Sequence, residues 1–182
     1  MIYLQTPRLI IRDQKPEDAD TYFALFSNKQ ALYYWQSGYP ETIEKAKEQI
    51  DNEISKIGKE NRQNYFLRIE DKQNNEHIGE IGYSVEENTP IGKLVGMGYF
   101  IYPKFWSKGY TTEAAKEVIR FAFEENNVFR IAASCFKDNI GSEKVMIKCG
   151  MIKEAERKSC TWHDGQIKDR VSYRLLKSEW TK

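Results

Sequence analysis

From Trp106 to Thr111 the chain reads Trp-Ser-Lys-Gly-Tyr-Thr, leaving an apolar strand-like run, turning through one glycine and entering a run of helical period. Such a junction can hold an anion. The first turn of a helix offers unpaired N–H groups and the positive end of its dipole, and glycine lets the backbone approach phosphate oxygens. On the residues alone, a plain capped turn explains the same pattern. Two other phosphate motifs are absent: neither a second glycine with a Lys-Ser/Thr pair nor a G-x-G-x-x-G after a strand occurs.

Other reactive side chains are sparse. Cys135, Cys149 and Cys160 are spaced 14 and 11 residues apart, which fits neither a disulfide framework nor a zinc motif. They read as reduced thiols in packed positions. With only His77 and His163 as histidines, no metal site is expected.

The 182 residues fit one domain spanning 1–182 and can bury a sizeable core. Lys and Arg number 28 against 27 Asp and Glu, so the net charge of +1 gives no general attraction to nucleic acid or to an anionic membrane. No run approaches the roughly 20 apolar residues of a membrane span, and the start lacks a signal peptide's basic and apolar regions. A cytoplasmic location is expected.

The elements that must position the loop follow from periodicity. Arg8 to Arg12 is a first strand, and Pro16-Glu17-Asp18 opens a helix with Ala19, Tyr22, Phe23 and Phe26 on one face. Thr42 caps a second helix carrying Ile43, Ala46, Ile50, Ile54 and Ile57 before Gly58. Strands follow at Tyr65 to Glu70, His77 to Val85 and Leu94 to Tyr102, with a turn at Glu87 to Gly92. A helix from Thr112 to Glu125, a strand from Phe129 to Cys135, a short helix from Ser142 to Cys149 and two strands around His163-Asp164-Gly165 complete an α+β order.

Taken in order, Thr6-Pro7-Arg8-Leu9-Ile10-Ile11-Arg12, Ile78-Gly79-Glu80-Ile81-Gly82, Gly98-Tyr99-Phe100-Ile101 to Glu113-Ala114, Asn139-Ile140-Gly141-Ser142 and Lys148-Cys149-Gly150-Met151 resemble the GNAT superfamily. The likeness is to its branch of ribosomal-protein N-acetyltransferases. It implies a mixed, mostly antiparallel sheet flanked by helices, and acetyl-CoA as co-substrate. It also implies that the pyrophosphate lies on Trp106, Ser107, Lys108, Gly109, Tyr110 and Thr111, although Trp106 replaces the usual Gln or Arg and Ser107 and Thr111 also depart from the pattern. Backbone N–H groups suffice for such a nest. By the same resemblance the pantetheine arm lies along Met97 to Tyr102, including Phe100 and Ile101, and Asn139 and Ser142 reach the arm and the thioester sulfur.

Acetyl transfer needs a neutral amine. At pH 7 a lysine amine costs roughly 4–5 kcal/mol to deprotonate, whereas an α-amino group costs only about 1. The glutamate that related enzymes place just before Gly98 is absent, because Gly96-Met97 stand there. Glu80 on the neighbouring strand is the candidate base, or a residue facing solvent. Ser142 is either the proton donor to the leaving thiolate or a helix cap. Backbone N–H groups near Met97 and Tyr99 are the implied oxyanion donors. Tyr33, Tyr34, Trp35, Trp162 and His163 are candidates for the acceptor side. The expected acceptor is a protein or peptide α-amino group. The alternatives are a small-molecule amine or a non-catalytic acyl-CoA-binding module, in a monomer or homodimer.

Overall fold

The computed structural model describes residues 1–35 and 38–181. Its strands are β1 (Tyr3–Gln5), β2 (Leu9–Arg12), β3 (Asn64–Asp71), β4 (His77–Thr89), β5 (Gly92–Ile101), β6 (Val128–Phe136), β7 (Ile152–His163) and β8 (Gln166–Leu176). The helices are α1 (Ala19–Phe26), α2 (Ile43–Ile54), α3 (Tyr110–Glu124) and α4 (Ile140–Lys148). Among the described residues the strands form one sheet in the order β1-β2-β3-β4-β5-β6-β8-β7. Every neighbouring pair is antiparallel except β5 and β6, which α3 connects as a crossover.

The local signals act where the residue types demand it. Thr42 caps α2 by accepting from the Lys45 N–H, and the apolar face of α3 buries Ala114, Ala115, Val118, Ile119, Ala122 and Phe123 against Ile81, Tyr83 and Val95 of the sheet. A smaller cluster of Leu25, Phe26, Leu32 and Phe100 joins α1 to β5. Three expectations change and one strand is added. Pro16–Asp18 is a 3-10 turn ahead of α1, and α2 ends at Ile54 before the turns that reach Gly58. β1 pairs with β2 although its three residues are too few to show a period. β4 continues through Glu87 to Thr89, because a β-bulge between Val85 and Glu87 restores its pairing with β5.

Charged side chains inside the fold are paired. Arg12 bonds Asp18 at 2.7 and 2.9 Å and Glu70 at 2.6 and 3.1 Å, and Arg68 bonds Glu70 at 2.7 Å. Burial pushes the Asp18 and Glu70 carboxyls up, but hydrogen bonds from Arg12 and the arginine charges outweigh it and hold both below the ordinary carboxylate range. This network fixes the turn at Pro16–Asp18 and α1 against the sheet.

Candidate active site

The site begins where two strands part. β5 and β6 pair only from Lys93↔Val128 to Gly96↔Ala132, after which β6 continues alone with β8 through Phe136↔Arg170. Lys93 donates its N–H to Asn127 on the β6 side, whereas Tyr102 donates to Ile78 on the β4 side. Alternate residues of a strand aim their backbone groups at opposite edges. Met97 and Tyr99 therefore present N–H and C=O to the gap and Ile101 its N–H, an edge able to pair an amide-bearing chain. Trp106 sets its end, since its indole N–H donates to the Ile101 carbonyl at 2.8 Å. Phe100 lies differently: its backbone is in register with Glu80, and its ring packs on Phe26 and Trp35.

The anion loop follows directly. Ser107 (φ 59) and Gly109 (φ 82) adopt left-handed conformations, and the first helical bond of α3 runs from Glu113 N–H to Gly109 carbonyl. The N–H groups of Tyr110, Thr111 and Thr112 thus have no helical acceptor. Arg8 braces this loop from the other end of the sequence. Its guanidinium donates to the Lys108 carbonyl at 3.1 Å and to Glu113 at 2.7 Å, and lies 4.3 Å from the Tyr110 ring centroid. In a trans peptide the C=O and the following N–H point opposite ways. With the Lys108 carbonyl held by Arg8, the Gly109 N–H is turned outward, as an anion nest requires. The Lys108 ammonium lies 5.7 Å from the Phe105 ring.

On the α3 side of the gap, Tyr99 meets α4. Its phenol is 2.8 Å from the Ser142 hydroxyl and 3.0 Å from the Ser142 carbonyl. Burial raises the Tyr99 phenol well above its ordinary value despite the Ser142 hydrogen bond, so it keeps its proton at physiological pH. The helix cap is Asn139, whose side chain accepts from Ser142 N–H at 3.2 Å. This corrects the capping alternative for Ser142 and leaves its hydroxyl for other work. Burial likewise pushes the Cys135 and Cys149 thiols up to about 11, which keeps them protonated and poor nucleophiles. Cys160, expected to be packed, is exposed on β7.

Glu80 is also corrected. It is only 1% exposed, neither facing solvent nor open to the gap, and is held by Gln14 and by His77 Nε2 at 2.9 Å. His77 is its neighbour on the same strand, but Gln14 comes from the β2–α1 connection 66 residues away, a distance that no local pattern reveals.

On the opposite face, residues 33–35 bridge the parted strands. Trp35 packs edge-on to Phe100 of β5 at 4.9 Å, Tyr34 packs on Phe136 of β6 at 5.7 Å, and Tyr33 packs on His163 at 4.9 Å. Tyr33 also donates to Asp164, and Tyr34 to the Asp138 carbonyl. Trp162, adjacent to His163 in the strand, is 63% exposed and directed to the other strand face. Among the described residues no group of three or more His, Cys, Asp or Glu could hold a metal, and no helix is long and apolar enough to cross a membrane.

A family model described as an acetyltransferase (GNAT) domain matches residues 8–152. An uncharacterized N-acetyltransferase of Bacillus subtilis, YoaA, is 30% identical over 174 residues, covering 96% of each chain. The [ribosomal protein uS5]-alanine N-acetyltransferase of Escherichia coli is 28% identical, covering 99% of this chain and 93% of the other. A spermidine N-acetyltransferase from Vibrio cholerae, solved with CoA and spermine, superposes with a TM-score of 0.81 at 18% identity, covering 96% and 98% of the two chains.

Proposed function

The chain belongs to the GNAT acetyltransferase family, and from that premise we propose that it moves an acetyl group from acetyl-CoA to a protein or peptide α-amino group by direct attack. The observation that carries this reading is the open β5 edge at Met97, Tyr99 and Ile101, which leads from the Ser142–Tyr99 pair to the N–H nest of the Trp106–Thr111 loop. Acetyl-CoA supplies an activated thioester. The loop N–H groups, with Gly109 and Lys108, hold its pyrophosphate, and the β5 edge pairs its arm. Asn139 lies beside that arm as the cap that orients α4.

The backbone N–H groups of Met97 and Tyr99 are directed where negative charge develops on the acetyl oxygen, and donors of this kind supply roughly 3–4 kcal/mol. Ser142 and Tyr99 together return a proton to the departing thiolate. Tyr34 and Trp35 form the acceptor wall, whereas Trp162 is directed to the other face of its strand. An α-amine suits this site because it needs about 1 kcal/mol of deprotonation rather than the 4–5 of a lysine. The wall is aromatic, and the two carboxylates bonded at it are engaged, Asp164 by Tyr33 and Asp138 by Lys168 at 2.6 Å. That arrangement favours a single amine over a polyamine. The test is thiol release from acetyl-CoA with peptides of varied first residue against spermidine, amino acids and aminoglycosides. Turnover confined to the small amines would overturn the peptide assignment, and acetyl-CoA binding without any transfer would favour a non-catalytic module.

A further inference from the structure

We propose that Glu86 is the general base, taking the proton from the acceptor amine. The inference rests on the acetyl-transfer reading and assigns the one catalytic role that the buried Glu80 cannot fill.

Glu86 is the extra residue of the β4 bulge: Val85 pairs with Val95 and Glu87 with Leu94, so Glu86 has no partner across β5. Bulges re-aim a side chain, and here the side chain is laid across β5 onto Gly96. A Cβ built on Gly96 would stand 2.5 Å from Glu86 Oε1 and 3.3 Å from its Cδ. The carboxylate therefore occupies the space that any side chain at position 96 would take, next to the position where related enzymes root their glutamate. Gly96 is also the last residue of β5 paired with β6 before the strands part. The acid stands at the vertex of the gap.

Its face is equally telling. Gly96 shares a strand face with Phe100, on which Trp35 rests, whereas Tyr99 and Ser142 lie on the other. A thioester along the β5 edge is thus flanked by a proton acceptor on the aromatic side and by proton donors on the α4 side. Successive same-face positions of a strand are about 6.6 Å apart, so the carboxylate over Gly96 lies one such step from Gly98, a span filled by an amine or by one water. Glu86 is exposed, and among the described residues no hydrogen-bond donor, cation or other titratable side chain is paired with it.

The proton balance is complete. The ammonium gives one proton to Glu86, and the neutral nitrogen attacks the acetyl carbonyl carbon. As the C–N bond forms and the C–S bond breaks, the nitrogen loses a second proton. One proton reaches the thiolate through Ser142 and Tyr99, and the other leaves Glu86 for solvent.

The test uses Glu86→Gln, Gly96→Ala and the double variant, with the amine on which the wild type turns over best. Glu86→Gln should lower kcat/KM for an α-amine about 30-fold at pH 7 but less than threefold at pH 9.5, where that amine is already neutral. Acetyl-CoA binding by calorimetry should not change. Gly96→Ala displaces a flexible carboxylate rather than backbone, so it should reproduce the loss with an unchanged melting temperature, and the double variant should be no worse than Glu86→Gln. A Glu86→Gln enzyme within twofold of wild type at pH 7, or equally impaired at both pH values, overturns the assignment while leaving acetyl transfer intact. A wild type that binds acetyl-CoA yet acetylates no amine overturns the transfer reading and the role of Glu86 with it.

Discussion

The Tyr99 phenol lies 2.8 Å from the Ser142 hydroxyl and 3.0 Å from the Ser142 carbonyl. The phenolic proton can go to the Ser142 carbonyl or to the Ser142 hydroxyl, and when it goes to the hydroxyl the Ser142 proton is left to give away. The two residues form one proton-donating unit. Tyr99→Phe and Ser142→Ala should each lower kcat about 10-fold with little change in acetyl-CoA KM, and the double variant should lose little more. Steady-state kinetics of the three variants check this, and full additivity would show that they act separately. Asn139→Ala should instead destabilise the fold by about 1 kcal/mol, the cost of a lost cap.

Arg8 gives a second test, of the loop. Removing its hydrogen bond to the Lys108 carbonyl frees the peptide that aims the Gly109 N–H. Arg8→Ala should weaken acetyl-CoA binding about 5- to 20-fold, a charge-assisted bond discounted for the exposure of the side chain. S-acetylpantetheine, which lacks the pyrophosphate, should be used as well by the variant as by the wild type. Equal losses with both thioesters would mean that Arg8 serves general stability and not the anion nest.

Gly109 itself sits at φ 82, and a Cβ there would come 3.4 Å from the Arg8 guanidinium. Gly109→Ala should cost about 1 kcal/mol of stability from the left-handed backbone alone. It should also raise the acetyl-CoA KM severalfold. Thermal melts and initial rates separate the two effects, and a variant with wild-type KM would place the pyrophosphate elsewhere.

The buried arginine network predicts an acid limit. Asp18 and Glu70 have folded-state values held below their unfolded ones. Their contribution is fully present above about pH 4–5 and is lost as pH falls through the lower folded values. Melting temperature should stay flat from pH 5 to 8 and drop below pH 4. Arg12→Ala should destabilise at neutral pH by about 3 kcal/mol, since it leaves the buried Asp18 and Glu70 carboxylates with Arg68 alone to pair them. A melting temperature at pH 3 equal to that at pH 7 would contradict this.

Much of this arrangement is legible in the residues themselves. The apolar face of α3, the Thr42 cap and the strand–glycine–helix junction at Gly109 are local patterns, and local physics enforces them. What escapes is set by contacts across long separations. Arg8 meets Glu113, 105 residues away, and Glu80 is buried by Gln14 from a different connection. Ser142 and Asn139 are both good capping types three residues apart, and only the direction of the Asn139 side chain separates their roles. The bulge at Glu86 has no composition of its own, because an extra residue in a strand shows only through its partner's register.

The most direct test of transfer between two substrates held together is a bisubstrate initial-rate study, varying acetyl-CoA against a peptide with a free α-amino group. Cys135 and Cys149 keep their protons, so no acyl-enzyme is expected and the double-reciprocal lines should intersect, with one acetylated peptide formed per free thiol released. Parallel lines, or tight acetyl-CoA binding with no acetylated amine, would contradict direct transfer at the parted strands β5 and β6.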